Sequence, residues 1–466
     1  MFNEKLQEFK NRIRNKKVAV LGIGISNTPL IKYLANLGVK ITAFDGAPYE
    51  KLSKSLKELE GYDIDYRLGD NHFKGLSSFD VIFKTPSIRP DIPELIAAKQ
   101  NGIEITSEIE LFIELCPAKT FGITGSDGKT TTTSIIYEIL KKQGYKCWLG
   151  GNIGTPLLDR IDDVRENDMV VLELSSFQLM TLNRSPDVAV ITNISPNHLD
   201  IHKSMDEYVE AKKNVFRYQK KNNLLILNKD NDLTSRMADE SLSKVLFFSA
   251  NEEVEEGAFI FENGIALKDS KGIRKIVDIG KILIPGRHNV ENMLAAAAAT
   301  SMFAETESIK TVAENFSGVE HRLEPVREIN NIRFFNDSIA SSPTRTIAGL
   351  NSFCEKVILI AGGKDKKNDY SELGKVIAQK VKCLVLIGET ADVIERSYYN
   401  EIKRINLKQE THIIKCSNLE DAVAAAYLHA KPGDVIILSP ASTSFDMYSN
   451  FEERGDHFKK LVSMLD

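Results

Sequence analysis

The chain has 466 residues, 42% hydrophobic and 27% charged, with a net charge of −5. That is an ordinary globular composition with length for about three domains, and its acidic balance argues against a general nucleic-acid or membrane binder. Five cysteines, at 116, 147, 354, 383 and 416, are dispersed and never form a C-x-x-C pair, which argues against disulfides or structural zinc and fits a reducing compartment. Met1 to Lys17 is charged and lacks an apolar core, so no signal peptide is expected and the expected location is cytoplasmic. The longest apolar stretch, Met293 to Ala304, is too short to span a bilayer and reads as a buried helix.

The first segment alternates strands and helices. Strands are expected at Lys17–Leu21, Val39–Phe44, Asp80–Lys84 and Ile103–Ser107, with a helix from Thr28 to Leu37 stopped by Gly38. This βαβ pattern implies a parallel sheet. Gly22-Ile-Gly24 follows the first strand and Asp45 ends the second, half of a dinucleotide-binding fingerprint. Asn27 stands where the third glycine would allow tight helix–strand packing. A nucleotide or sugar-nucleotide pocket and a ligand-free Rossmann-like turn both fit, and a nicotinamide-dependent oxidoreductase is the competing enzyme class.

A second α/β unit begins near Glu108. In Lys119-Thr-Phe-Gly-Ile-Thr-Gly-Ser-Asp-Gly-Lys-Thr130 an apolar strand runs into a glycine-rich turn, and Lys-Thr opens a helix. That geometry aims backbone N–H groups and the positive helix end at one spot, where phosphates bind. Lys129 adds a charge and Thr130 a hydroxyl for Mg²⁺. The strict P-loop spacing fails, because Gly122 lies one residue too early and Gly125 too late. Either this is a plain strand-to-helix turn or a distinct P-loop subclass. Glu173 ends the apolar strand Met169–Glu173, where the ligand crevice of a parallel sheet lies, and suits a Mg²⁺ ligand or a solvated strand end. In Asn197-His198-Leu-Asp200-Ile-His202 alternate side chains share one face and suggest a transition-metal set. A single His198 beside Mg²⁺ and phosphate is more economical, since no further cluster completes a zinc shell. Lys212 falls on a helix expected from Met205 to Tyr218 and reads, by itself, as a solvated side chain.

Short β-rich pieces at Val245–Phe248, Ala258–Phe261 and Lys281–Ile284 read as an antiparallel appendage to the second unit. Asn289 and Asn292, at i and i+3 near the start of the Ala-rich helix, suit either adenine edges or a helix cap. A third unit follows Gly318, with strands at Val357–Ala361, Cys383–Ile387 and Asp434–Leu438 and a closing helix from Phe451 to Leu465. Polar loops follow its strands: Asn336-Asp337-Ser338, Gly362-Gly-Lys-Asp-Lys366 and Ser439-Pro-Ala-Ser-Thr-Ser444. Each suits a ligand or a loop cap.

In family order these pieces resemble the ATP-dependent Mur ligases of peptidoglycan synthesis. The resemblance rests on Thr124-Gly-Ser-Asp-Gly-Lys-Thr130, Glu173-Leu-Ser-Ser-Phe-Gln178, Asn193-Ile-Ser-Pro-Asn-His-Leu-Asp200, Gly286-Arg-His-Asn289, His321-Arg322, Asn336-Asp-Ser338 and Leu438-Ser-Pro-Ala441. The Rossmann-like start, Gly150-Gly-Asn-Ile-Gly154 and Ser444-Phe-Asp446 through Gly455 favour the branch that adds D-glutamate to UDP-N-acetylmuramoyl-L-alanine. Other Mur branches and folylpolyglutamate-type ligases share the scaffold and are the alternatives.

The resemblance implies three α/β domains: a Rossmann-like UDP-substrate domain over 1–107, a central P-loop ATPase-like domain over 108–319, and a Rossmann-like amino-acid domain over 320–466. It implies ATP between the second and third domains and two Mg²⁺ ions. Lys129, Glu173, His198 and a carbamylated Lys212 would be catalytic. Gly125, Ser126, Asp127, Gly128, Lys129, Thr130, Thr131, Asn289, Asn292, Arg322 and Asp337 would hold ATP. Thr130, Glu173, His198 and Lys212 would serve the metals. Ile25, Ser26, Asp45, Asn152, Ser341, Lys366, Ser444, Phe445 and Phe451 would hold the substrates. A monomer is expected, with no nucleic-acid partner and no membrane insertion. Two departures stand out: Ile339 replaces the lysine many relatives carry, with Arg345 a candidate to restore that charge, and Gly46-Ala47 follows Asp45 where some relatives carry an arginine near uracil.

Overall fold

The structure is a computed structural model that describes residues 3–24, 27–70, 72–197, 201–284, 286–365, 368–405 and 411–465. Ile25, Ser26, His198 and Lys366, expected at the site, lie outside the described residues. The architecture is three α/β domains, each built on its own sheet. By contacts the chain forms two compact units, Met1–Phe316 with the first two sheets and Ser317–Asp466 with the third.

The first sheet holds β1 (Lys17–Leu21), β2 (Lys40–Asp45), β3 (Ile64–Leu68), β4 (Val81–Lys84) and β5 (Glu104–Thr106). All pair in parallel, in the order β3-β2-β1-β4-β5. β1 is buried from Val18 to Leu21, as a short apolar run between two covering layers should be. It stops at Gly22, whose φ of +91° leaves the β region. A side chain there would collide with Thr85, as an added Cβ would stand 2.8 Å from its Cγ2. The strand order reverses beside β1, so the crevice expected for a ligand opens at this turn.

The second sheet holds β6 (Lys119–Thr124), β7 (Cys147–Gly151), β8 (Met169–Glu173), β9 (Val188–Ile191), β10 (Leu224–Asn228), β11 (Lys244–Ser249), β12 (Gly257–Phe261), β13 (Gly264–Asp269) and β14 (Gly272–Asp278). Their order is β14-β13-β12-β11-β10-β9-β6-β8-β7. The region beyond residue 245 is not the antiparallel appendage its short polar-bounded pieces suggest. β11 and β12 continue the parallel sheet, and antiparallel pairing is confined to β12–β13 and β13–β14. Lys281–Ile284 forms no strand: a short 3₁₀ turn ends at Lys281, and Ile282 and Ile284 are buried while Leu283 is exposed. The Ala-rich stretch is helical over Arg287–Thr300, and Ala295 to Ala299 are fully buried. Small side chains let this helix pack closely on Lys129–Lys142, which presents Ile135, Ile136, Ile139 and Leu140.

The third sheet holds β15 (Glu324–Ile329), β16 (Ile332–Asn336), β17 (Val357–Gly362), β18 (Val381–Ile387), β19 (His412–Lys415) and β20 (Val435–Leu438). Its order is β15-β16-β20-β17-β18-β19, parallel except for the β15–β16 hairpin. The carboxyl ends of β16, β20 and β17 are therefore neighbours, and their polar loops converge. The closing helix runs Phe451–Ser463, with Asn450 capping it through a bond from Glu453 N at 2.7 Å. No described helix is long and apolar enough to cross a membrane.

Candidate active site

β6 delivers the chain into Gly125, at φ +148°, and Gly128, at φ +78°, before the helix Lys129–Lys142 begins. Both glycines are required by contact as well as conformation. A Cβ on Gly125 would run into the Thr192 hydroxyl, and one on Gly128 into the Asn292 amide oxygen. The segment after β9 braces the loop from the side. Ser126 N donates to Asn193 O at 2.9 Å, Asp127 N to Asn193 Oδ1 at 3.0 Å, and the Thr192 hydroxyl to Asp127 O at 2.6 Å. The Ser126 hydroxyl donates to Ser195 O at 2.9 Å and lies 2.9 Å from the Tyr208 hydroxyl. Lys129 Nζ folds over the loop, donating to Gly125 O at 3.0 Å and Ser126 O at 2.9 Å. Thr130 and Thr131 are buried in the first helical turn.

Lys212 is not a solvated lysine. It is 1% exposed, donates to Gly125 O at 2.7 Å and to the Thr124 hydroxyl at 3.3 Å, and its ammonium lies 4.6 Å from the Tyr208 ring centre. Burial, and then the nearby Lys129 charge, hold its pKa well below the usual lysine range. Such a shift favours the neutral amine. Two amino groups thus share one loop carbonyl.

Glu173, at the end of β8, is 1% exposed. One carboxylate oxygen accepts from Asn152 Nδ2 at 2.7 Å, and the other is buried without a hydrogen-bond partner. An orphaned buried acceptor costs about 1–3 kcal/mol, and a divalent cation satisfies it directly. The residues present therefore fit Mg²⁺. His202 is committed elsewhere: its Nε2 lies 2.9 Å from the Ser176 hydroxyl, and its ring stacks on Phe177. Burial lowers its pKa.

Asn292 Nδ2 donates to Asn289 Oδ1 at 3.2 Å, while its own Oδ1 accepts from the Thr132 hydroxyl at 3.3 Å. Gly286 caps the helix, so Asn289 lies in the first turn and is not the cap. The pair sits against the glycine loop. In the first sheet both oxygens of Asp45 accept backbone N–H groups at 2.8 Å, from Ile23 and from Ala47. Asp45 therefore fixes the glycine turn.

In the C-terminal unit, Asp337 is buried at the end of β16. It accepts from the Ser439 hydroxyl at 2.7 Å and from Leu323 N at 3.2 Å. Burial pushes its carboxyl up to about 7, against these bonds and the Arg322 charge. Arg322 is exposed, and Arg345 donates to Ile339 O at 3.2 Å. Ser341 is half-buried, its N–H bonded to Ile339 O at 2.8 Å. Ser444 is buried, its carbonyl accepting from Met447 and Tyr448, while Phe445 is 61% exposed. Phe451 O accepts from the Ser338 hydroxyl at 2.8 Å. Glu320, His321 and Asp456 stand close enough to share a cation, but Lys459 is ion-paired with both acids.

Several residues of these sites carried no assignable role in the sequence. Thr192, Asn193 and Ser195 brace the glycine loop; their position just after β9, at a strand's carboxyl end, was the available signal. Tyr208 gave none. Arg454 is fully buried and joins two loops, donating to the Ser338 hydroxyl at 3.0 Å, Ser338 O at 2.9 Å and Ser442 O at 3.2 Å. A lone arginine in an otherwise amphipathic helix reads as solvated, and only the fold reveals otherwise.

Three family models match in succession: a Mur ligase MurD-like N-terminal domain over residues 16–107, a Mur ligase middle domain over 123–300, and a Mur ligase glutamate ligase domain over 321–442. The chain is similar to a UDP-N-acetylmuramoylalanine–D-glutamate ligase of Acetivibrio thermocellus, 58% identical over 464 residues and covering 100% of both chains. It is also similar to the enzyme so named in Ruminiclostridium cellulolyticum, at 54% identity over 99% of this chain and 100% of that one. Among solved structures, UDP-N-acetylmuramate–alanine ligase of Thermotoga maritima shares the fold at a TM-score of 0.57 and 20% identity, over 96% of this chain and 99% of the other. Matched from residue 16 to 442 by the three successive domain models, the chain belongs to the Mur ligase family.

Proposed function

We propose that this chain joins D-glutamate to UDP-N-acetylmuramoyl-L-alanine at the expense of ATP, in peptidoglycan synthesis. The observation that carries the reading is the glycine loop after β6, where Lys129 and Lys212 converge on Gly125 O. The full-length identity to ligases of that name supports the choice of substrates.

In this reading the L-alanyl carboxylate attacks the γ-phosphorus of ATP, giving an acyl phosphate and ADP. The D-glutamate amine then attacks the acyl carbon. Phosphate leaves with the electron pair of the C–O bond, and the amine gives up its proton. Attack of one anion on another needs positive charge and fixed N–H donors at the phosphates. Lys129, the N–H groups of Gly125 to Gly128, and the first turn with Thr130 and Thr131 serve that role. Bound Mg²⁺ supplies further positive charge at the phosphate oxygens. Thr130 and Glu173 would hold one ion, and His198 with a carbamylated Lys212 a second.

Asn289 and Asn292 would meet adenine, Arg322 and Asp337 the phosphate or ribose, and Asn152 the muramoyl group. Ile25, Ser26 and Asp45 would serve the uridine end. Ser341, Lys366, Ser444, Phe445 and Phe451 would hold D-glutamate. The reading carries domain boundaries at 107/108 and 319/320, two Mg²⁺ ions, a monomer and a cytoplasmic location.

The test is ADP formation across a panel of amino acids and acceptors. Release should require both UDP-N-acetylmuramoyl-L-alanine and D-glutamate. Equal release with L-glutamate and a folate acceptor would overturn the assignment.

A further inference from the structure

We propose that His72 reads the nucleotide base, its Nε2 accepting the N3–H of uracil; this rests on the reading of a UDP-linked substrate given above.

His72 follows β3, at the carboxyl edge of the first parallel sheet, where ligands of such sheets bind. In nucleotide-binding sheets of this kind the phosphates lie at the turn after the first strand, and the ribose lies at the acidic end of the second. Here those places are Gly22–Gly24 and Asp45. The base then falls on the outer side of Asp45, toward the end of β3, which is where His72 stands.

The ring is held in one orientation. Nδ1 lies 2.8 Å from Gly69 O. A carbonyl oxygen only accepts, so Nδ1 carries the proton, and in the neutral imidazole Nε2 then presents a lone pair. Among the described residues nothing is hydrogen-bonded to Nε2. The ring rests beside Phe73, with centroids 4.0 Å apart. It also covers Gly46, the residue directly after Asp45: a Cβ on Gly46 would stand 2.9 Å from Cε1 and 3.4 Å from Nε2. Glycine at 46 is thus what allows the imidazole to lie beside the end of β2. Each Asp45 oxygen already accepts one backbone N–H, and His72 adds a separate acceptor on the β3 side of that carboxylate.

An acceptor at this point discriminates between pyrimidines. Uracil presents a donor at N3, whereas cytosine presents a lone pair there, which His72 would oppose. A site built to bond one group rejects the analogue lacking it.

The experiment is calorimetric titration of the full chain with UDP and with CDP, in the wild type, His72→Phe and Gly46→Ala. His72→Phe keeps a ring and deletes the acceptor; Gly46→Ala displaces the imidazole without touching its chemistry. The wild type should prefer UDP by about tenfold or more, the size of one hydrogen bond. Both variants should lose that preference, with CDP binding unchanged. In turnover, His72→Phe should raise KM for UDP-N-acetylmuramoyl-L-alanine and leave KM for ATP and D-glutamate alone. An unchanged UDP-to-CDP ratio in both variants, in an enzyme that still makes the D-glutamyl product, overturns the role of His72 and leaves the ligase reading standing. A wild type that binds neither nucleotide removes the UDP-linked substrate itself.

Discussion

Asn152 Nδ2 holds one oxygen of Glu173 at 2.7 Å, and its backbone N–H holds the Glu173 carbonyl at 2.8 Å, so the second carboxylate oxygen of Glu173 is aimed but unsatisfied. The pairing fixes orientation and leaves charge available. Glu173→Gln keeps shape and the bond from Asn152 while deleting the charge. ADP formation should fall by about 10²-fold or more, the scale of losing one electrostatic element of a phosphoryl-transfer site. The melting temperature should hold. Near wild-type kcat in Glu173→Gln would remove this residue from the metal site.

Lys129 donates to Gly125 O and Ser126 O of its own loop. Truncation to alanine deletes a charge at the loop mouth, while Gly125 O keeps its bond from Lys212 and the loop keeps its braces from Asn193 and Thr192, so folding should survive. Lys129→Ala should abolish turnover with an unchanged circular dichroism melt. Retained ADP release would show that the loop does not bind the reacting phosphates.

Lys212 is a buried amine with a depressed pKa, lowered first by burial and then by Lys129. In the proposed role the neutral amine would add CO₂, release a proton and become an anionic carbamate, which would turn a donor into a metal ligand. Activity should fall when CO₂ is stripped from the buffer and return when bicarbonate is restored. Lys212→Ala should lack that dependence and most of the activity. An unmodified amine in active enzyme, seen by native mass spectrometry, would refute the carbamate.

The three α/β sheets and the glycine loop were legible because their signals are local: apolar strand runs, glycine turns, and Lys-Thr opening a helix. Glu173 was legible from its strand end. The remainder was not local. Only packing distinguishes buried Lys212 from exposed helical lysines such as Lys460. β11 reads as an isolated polar-bounded strand until β10 is seen beside it in parallel register. The hairpin β15–β16 escaped because its burial alternates poorly, with Pro325 and three charged residues in six positions. His72 had no signal at all, since its place depends on Gly46 from a different loop.

Arg454 ties the loop after β16 to the loop after β20 through one hydroxyl and two carbonyls. Burial lowers its pKa to about 10, with the Asp446 charge opposing. Arg454→Lys keeps the charge but cannot bridge both loops with a fork. It should destabilise the C-terminal unit by about 2–4 kcal/mol and raise KM for D-glutamate more than KM for UDP-N-acetylmuramoyl-L-alanine. Equal effects on both KM values would limit Arg454 to general stability.

Glu108 is buried, and burial raises its carboxyl from 4.5 to about 7 although Leu158 N donates to it at 3.0 Å. A folded pKa above the unfolded one means that the native state holds the proton more tightly. The stabilisation is full below pH 4.5 and is lost as pH rises through 7. The loss is on the order of 3 kcal/mol for a shift of this size. Glu108→Gln keeps an acceptor for Leu158 N and removes the titration. The variant should therefore gain stability over wild type at pH 8 relative to pH 5, read as the difference in melting temperature at each pH. A difference that is the same at both would mean that Glu108 stays ionised in the folded chain, its charge met by the Leu158 N–H and its neighbours.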